Sequence, residues 1–156
     1  MLEFTLVGIP LIFILISTFE IARGMWIYQT LAFAVKATAK YASVHGNSCA
    51  VLGNSCSTTV ASMAAKIKDK GVGLLPDETS FTLTDAGGSI NCPTLSGCLT
   101  NTTAWPTTAG GKPGSNITIT ARYEFRSALA MFWPGRQAVR FDAVNLPASA
   151  YATIQF

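Results

Sequence analysis

The residues of this chain whose types and spacing could do chemistry are mainly charges that border an apolar run. Glu20 and Arg23 lie three residues apart, so on a helix they share one face and can form an ion pair. Glu3 stands at the other end of the run. A carboxylate near the start of a membrane-embedded helix costs a few kcal/mol unless it meets water or a partner. These charges indicate contacts rather than catalysis: an ion pair at a membrane surface, or a contact to another subunit.

No arrangement for catalysis emerges from the rest of the sequence. His45 is the single histidine and lies at a predicted helix end, while the eight carboxylates are dispersed. No glycine-rich loop follows a strand and opens a helix, as a phosphate site would require. Lysine and arginine are scattered, which argues against a nucleic-acid-binding face. The sequence therefore predicts a protein that is not an enzyme and that uses no metal or cofactor.

Four cysteines form two close pairs along the chain, Cys49 with Cys56 and Cys92 with Cys98. An even count behind a membrane-type N-terminus indicates an oxidising compartment and two disulfides. Neither pair has the C-x-x-C spacing of a zinc site. We favour the two local pairings, although four cysteines allow three connectivities and the sequence alone leaves them open.

The first 45 residues read as one long helix with two different halves. Residues 4–19 carry no charge, and the length of this run is at the lower limit of what spans a bilayer. Beyond Glu20 the pattern becomes amphipathic, with apolar residues at three- and four-residue spacing. We therefore divide the helix into residues 1–20, for a membrane or a filament core, and 21–45, which pack on a globular part. A cleavable signal peptide fits poorly, because the run has no basic residue before it and the helical pattern continues after it.

Residues 46–156 are predicted to form a globular α+β domain at a surface. A short second helix is expected over residues 58–70, capped by Ser57 and ended by Gly71. Alternation predicts strands over residues 80–85, 116–125 and 148–156, with a weaker one over 137–144. Residues 86–115 read as a long surface loop. The predicted fold is α+β: the long helix and a second short helix packed on a small antiparallel β-sheet.

Both ends of the chain carry short motifs. They are Leu2-Glu3-Phe4-Thr5-Leu6, Pro10, Glu20-Ile21-Ala22-Arg23, the aromatic stretch from Trp26 to Leu31, residues 35–42, Pro113-Gly114-Ser115 and Leu146-Pro147. These motifs resemble those of TadE-like pilins and pseudopilins of the Tad (Flp, type IVc) pilus family. The resemblance covers both ends of the chain better than residues 47–112. Relative to the family pattern, the first glutamate stands earlier, and Lys36 and Lys40 stand where the family has arginines.

This resemblance implies a pilin-like subunit of an extracellular helical filament. The precursor would sit in the inner membrane, lose a short basic leader to a prepilin peptidase, and be extracted by the pilus machinery into a filament of its own copies. The early glutamate would meet the N-terminal amine of a neighbour. The expected assembly residues are Glu3, Phe4, Pro10, Phe13, Phe19, Glu20 and Arg23. Two alternatives stay open: a minor priming pseudopilin, and a single-pass membrane-anchored periplasmic binding protein.

Overall fold

The fold is described from a computed structural model that covers residues 2–46, 49, 56, 58–127 and 143–155, with the backbone alone for residues 2–5. It combines one long helix, one shorter helix, a helical turn and four strands, in the order α1 (Leu2–Ser43), α2 (Val60–Lys70), β1 (Thr79–Asp85), β2 (Gly88–Cys92), α3 (Leu95–Cys98), β3 (Asn116–Phe125) and β4 (Val144–Thr153). The α+β prediction is confirmed: a long N-terminal helix and a short one accompany a four-stranded antiparallel sheet.

Helix α1 runs without interruption through Pro10 to Ser43. The half of α1 that follows Glu20, which we call its upper half, packs against α2 and against strands β3 and β4. The amphipathic pattern assigns to the core Ile27, Leu31, Ala34, Val35, Thr38, Tyr41 and Ala42, and these are buried except Tyr41, which is half-buried. The pattern puts Ser43 on the polar side, but its side chain is buried. The buried set on this helix is Ile27, Leu31, Ala34, Val35, Thr38, Ala39, Ala42 and Ser43.

The sheet has the strand order β2-β1-β3-β4, with every neighbouring pair antiparallel. Alternation puts the apolar residues of β1 and β3 on the face toward the helices, where Phe81, Leu83, Ile117 and Ile119 are almost fully buried. The opposite face carries mainly hydroxyl and amide side chains. The core therefore lies between one sheet face and the upper half of α1, with α2 alongside.

Helix α2 begins two residues later than predicted, because its cap is Thr59 rather than Ser57. The Thr59 hydroxyl accepts from the Ser62 amide at 3.2 Å, and the Ser62 hydroxyl accepts from the Thr59 amide at 3.0 Å. The next two amides of the helix, at Val60 and Ala61, donate to the carbonyls of Thr103 and Asn101. A segment forty residues further along the chain thus helps to fix where the helix starts.

The predicted loop over residues 86–115 contains regular structure. Its first part is strand β2, which pairs with β1 through a tight turn at Ala86-Gly87, and α3 follows. The strand β4 begins at Val144, earlier than the predicted residue 148. Its partners on β3 explain the extension, because Val144 to Ala148 continue the ladder opposite residues 121–125. The weaker strand predicted over residues 137–144 lies outside the described residues, except for its end.

Both local disulfides are present. Cys49 joins Cys56 after the end of α1, and Cys92 at the end of β2 joins Cys98 in α3. Each bridge closes a short loop, which removes freedom from the unfolded chain. The second bridge holds α3 next to the edge strand of the sheet.

Candidate assembly surface

The exposed part of α1, which we call the apolar stem, comprises residues 6–19. Among the helices of the described ranges, α1 is the one long and apolar enough to cross a membrane by length and composition, and none of its most apolar window is buried. A soluble monomer rarely leaves so large an apolar surface in water. The large exposed side chains are Leu6, Val7, Ile9, Leu11, Ile12, Phe13, Ile14, Leu15 and Phe19.

Five of the predicted assembly residues lie on the part of α1 before Glu20, in two groups. Pro10, Phe13 and Phe19 lie on the stem with their side chains exposed. Glu3 and Phe4 lie in the first turn of α1, but their side chains are outside the described part of the chain. One polar group of the stem is satisfied within the helix: the Thr18 hydroxyl donates to the Ile14 carbonyl at 2.8 Å. Such a bond within the helix suits an environment without water.

Glu20 and Arg23 form an ion pair at the upper end of the stem, with 3.2 Å between Arg23 Nη2 and Glu20 Oε2. The same carboxylate oxygen accepts a hydrogen bond from the Ser127 hydroxyl at 2.9 Å. The Glu20 side chain is only 15% exposed. The carboxylate is therefore paired with a cation and hydrogen-bonded where the stem meets the globular domain.

Arg23 joins this pair to the end of strand β3. Its guanidinium donates to the Arg126 carbonyl at 2.5 Å and lies 4.6 Å from the centre of the Phe125 ring. We call Glu20, Arg23, Phe125, Arg126 and Ser127 the clasp. The sequence predicted its first two members as a pair on one helix face. The other three are about a hundred residues away, and no sequence signal connects them to the helix.

A second set of charges adjoins the clasp at the end of β3 and shares Arg126 with it. The Arg126 guanidinium donates to the Glu124 carboxylate at 2.9 Å and is 3.9 Å from that of Glu78. The hydrogen bond to Glu124 raises the pKa of Arg126. Burial, reinforced by the negative charge of Glu78, raises the pKa of the Tyr123 hydroxyl. Charge is thus concentrated at this end of the domain, next to the stem.

Asp85 and Thr107 hold the long segment after β2 against the sheet. Asp85 is buried at the end of β1, and its carboxylate accepts from the Thr107 amide at 2.6 Å and from the Thr107 hydroxyl at 3.1 Å. The Gly87 amide donates to the same carboxylate at 2.7 Å. A Cβ on Gly110 would collide with the Asp85 side chain, so a residue without a side chain is required there. The outer segment is therefore tethered rather than free.

Two features bear on the alternative of a binding protein. Across the described ranges, no group of three or more histidine, cysteine or carboxylate side chains is placed to hold a metal ion. The polar face of the sheet carries an open groove of about 510 Å³, lined by Ser80, Thr82, Asn91, Thr120 and Arg122 among others. The groove offers hydroxyl, amide and guanidinium groups, but it contains none of the predicted assembly residues.

Comparison with known families gave one match: the model of the TadE-like protein family matches residues 1–40. This match confirms the family resemblance of the N-terminal motifs, over about a quarter of the 156-residue chain. It covers the stem, Glu20 and Arg23, and most of the buried half of α1. Comparisons with curated proteins and with solved structures gave no significant match.

Proposed function

Starting from the TadE-like character of residues 1–40, we propose that this protein is a structural subunit of a Tad-type pilus. In this proposal the chain is first held in the inner membrane by α1 and is processed by a prepilin peptidase. The pilus machinery then moves it into an extracellular filament of identical subunits. The role is structural, without catalysis.

The observation that carries the proposal is the division of one rigid helix into two environments. From Ile27 onward one face of α1 is part of the core of the globular domain, with Leu31 and Val35 completely buried. Below Glu20 the helix leaves that core, and its large apolar side chains are exposed. Apolar surface of this extent is stable only in lipid or against other protein. A subunit that passes from a bilayer into a helical filament uses both environments in turn.

Copies of the stem are suited to pack against one another. The stem spans about 20 Å at 1.5 Å per residue, and packed helices approach to about 8–10 Å. Because α1 is continuous from the stem into the domain, bundling the stems places the globular domains around the outside. The tethered segment around Thr107 and the polar sheet face then belong to the outer surface of the filament.

Glu3 supplies the proposed register between subunits. In a bundle of apolar helices an unpaired carboxylate is costly, so a neighbouring cation is required. The N-terminal amine of an adjacent copy is the partner that the family resemblance implies. Glu3→Gln, which keeps the size of the side chain and removes its charge, should therefore lower filament yield more than it lowers the amount of membrane-bound subunit.

The central experiment places a charge on the stem. Leu15→Glu should reduce filament yield more than tenfold, because a charge in an apolar helical environment costs about 2.5–3.5 kcal/mol. Leu15→Ala keeps the stem apolar, so it should insert normally and show only a partial defect. Val144→Glu changes an equally exposed apolar residue on the globular domain and serves as the matched control.

Filaments are counted by negative-stain microscopy of sheared surface material, and subunit in the membrane fraction is measured by immunoblot. Normal filament yield from Leu15→Glu would refute the proposal. Mass spectrometry of purified filaments tests the main-subunit role: the proposal requires this chain to be the major component, and a trace amount would assign it a priming role instead.

A further inference from the structure

Three exposed apolar residues lie at the end of the globular domain that adjoins the stem. They are Trp26 on α1 and Val72 and Leu75 in the turn after α2, with 64%, 68% and 55% of their surfaces exposed. We call them the base patch. Trp26 and Val72 line the lower part of a shallow groove that also contains Lys70 and continues along α1 to Phe33.

The turn after α2 is held at the level of Trp26 by its backbone. Gly71 ends α2 by donating to the Ile67 carbonyl at 2.8 Å, and the Leu74 amide donates to the Gly71 carbonyl at 3.1 Å. Gly73 adopts a φ of 88°, and a Cβ there would lie 4.0 Å from Trp26 Nε1. Leu74 packs against the core. Val72 and Leu75, on either side of Leu74, are left exposed by this turn.

The length of the charge-free run places this patch relative to a bilayer. Residues 4–19 span about 24 Å as a helix, whereas the hydrocarbon core is about 30 Å thick. If residue 4 marks one edge of that core, Trp26 lies about 33 Å along the helix, just beyond the opposite edge. The headgroup layer extends about 5–7 Å beyond the hydrocarbon. A bilayer that covers the stem therefore reaches the base patch.

The chemistry of this region fits a headgroup layer. A tryptophan ring combines an apolar body with one N–H donor and is enriched at membrane surfaces. Lys70 has a long apolar stem and a partly exposed charged end, so it can reach lipid phosphates. On the same placement Glu20 and Arg23 lie about 24 and 29 Å along the helix, just inside the edge of the hydrocarbon, and the clasp keeps the Glu20 carboxylate paired there with Arg23 and Ser127.

We propose that the base patch inserts into the headgroup layer of the membrane that holds α1, and so fixes the orientation of the globular domain on the bilayer before assembly. The occupant is lipid rather than a second copy, because the patch continues the exposed apolar surface of the stem at the depth where the bilayer ends. This inference rests on the membrane-anchored stage of the proposed function and not on the filament stage.

The test uses the full chain in vesicles of phosphatidylethanolamine and phosphatidylglycerol. The four native cysteines are all in disulfides, so a single introduced cysteine can be labelled with an environment-sensitive fluorophore. Val72→Cys places the label in the base patch. Lys112→Cys places it on an exposed residue close to the start of β3, at the opposite end of the domain from the base patch. Insertion of the stem is checked by flotation with the vesicles.

The inference predicts a blue-shifted emission and quenching by a headgroup-attached nitroxide lipid for the label at residue 72, and neither for the label at residue 112. As a label-free check, brominated lipid should quench the tryptophan fluorescence of the wild type more than that of Trp26→Phe. A label at residue 72 that stays water-like in floating protein overturns the inference and leaves the membrane anchor standing. A blue shift without lipid quenching assigns the patch to a second copy and also overturns it. Failure of the protein to float overturns the inference together with the membrane stage.

Discussion

Leu31 and Phe33 lie two residues apart on α1, and their contrast tests whether the upper half of this helix is part of the domain core. Leu31 is 0% exposed and packs among the buried residues of the core, whereas Phe33 is 61% exposed. Replacing Leu31 with alanine removes buried methyl groups and leaves a cavity, which costs about 2–5 kcal/mol. Alanine is a slightly better helix former, and this returns a few tenths of a kcal/mol. We expect a net loss of about 3 kcal/mol.

For a chain of this size, a loss of about 3 kcal/mol lowers the melting temperature by roughly 6–12 °C. Phe33→Ala removes more atoms but from an exposed position, so its effect should stay within about 0.5 kcal/mol, or a degree or two. The measurement is thermal unfolding of the full chain in non-ionic detergent, followed by near-ultraviolet circular dichroism. Trp105 is 1% exposed, so its signal reports packing of the domain rather than helicity of the stem.

The outcome that would refute the reasoning is equal melting temperatures for the two alanine variants. That result would mean that α1 is attached to the domain without forming its core. The division of one helix into a stem and a core half would then lose its basis, and the stem would be only a membrane anchor joined to an independent domain.

Three further predictions concern the globular domain and the clasp. Asp85→Ala should destabilise by about 1–3 kcal/mol in urea unfolding, because it removes the buried carboxylate that accepts from the Gly87 and Thr107 amides, whereas Thr84→Ala on the exposed side of the strand should change little. Burial raises the pKa of Tyr123 above its ordinary value of 10.0, so its contribution to stability is complete below pH 10 and is lost as the pH rises through the folded-state pKa. Tyr123→Phe should therefore make the loss of stability at alkaline pH less steep. An unchanged slope of stability against pH would contradict this. Glu20→Gln should cost no more than about 1 kcal/mol, because Arg23 is half exposed and solvent screens the pair, and the difference should shrink in about 1 M salt.

The two halves of α1 illustrate what could be predicted locally. Residues 4–19 lack charge, and the buried positions beyond Glu20 recur at helical spacing, so hydropathy alone separates the exposed half from the packed one. Strand β3 was predicted with the bounds that the structure shows, because ten residues alternate without interruption. Both patterns are read within one element, and no distant residue is needed to interpret them.

The clasp shows why part of the candidate site could not be predicted. Charge and spacing identify Glu20 and Arg23, but the choice of Phe125, Arg126 and Ser127 as their partners depends on where the end of β3 meets the helix. That meeting point follows from the packing of the sheet on α1, which brings residues about a hundred positions apart into contact. The base patch has the same origin, since Val72 and Trp26 adjoin only after α2 folds back along α1.

By itself, the sequence determined the long helix, its apolar and amphipathic halves, the main strand and the family resemblance of the first 40 residues, because each is encoded by local periodicity or motif. Tertiary structure decided the start of α2, the strand hidden in the predicted loop and the early start of β4. These depend on hydrogen-bond partners far along the chain: the carbonyls of Asn101 and Thr103 for the helix, and the neighbouring strands for β2 and β4. Backbone groups require partners, but only the folded chain specifies which partners they find.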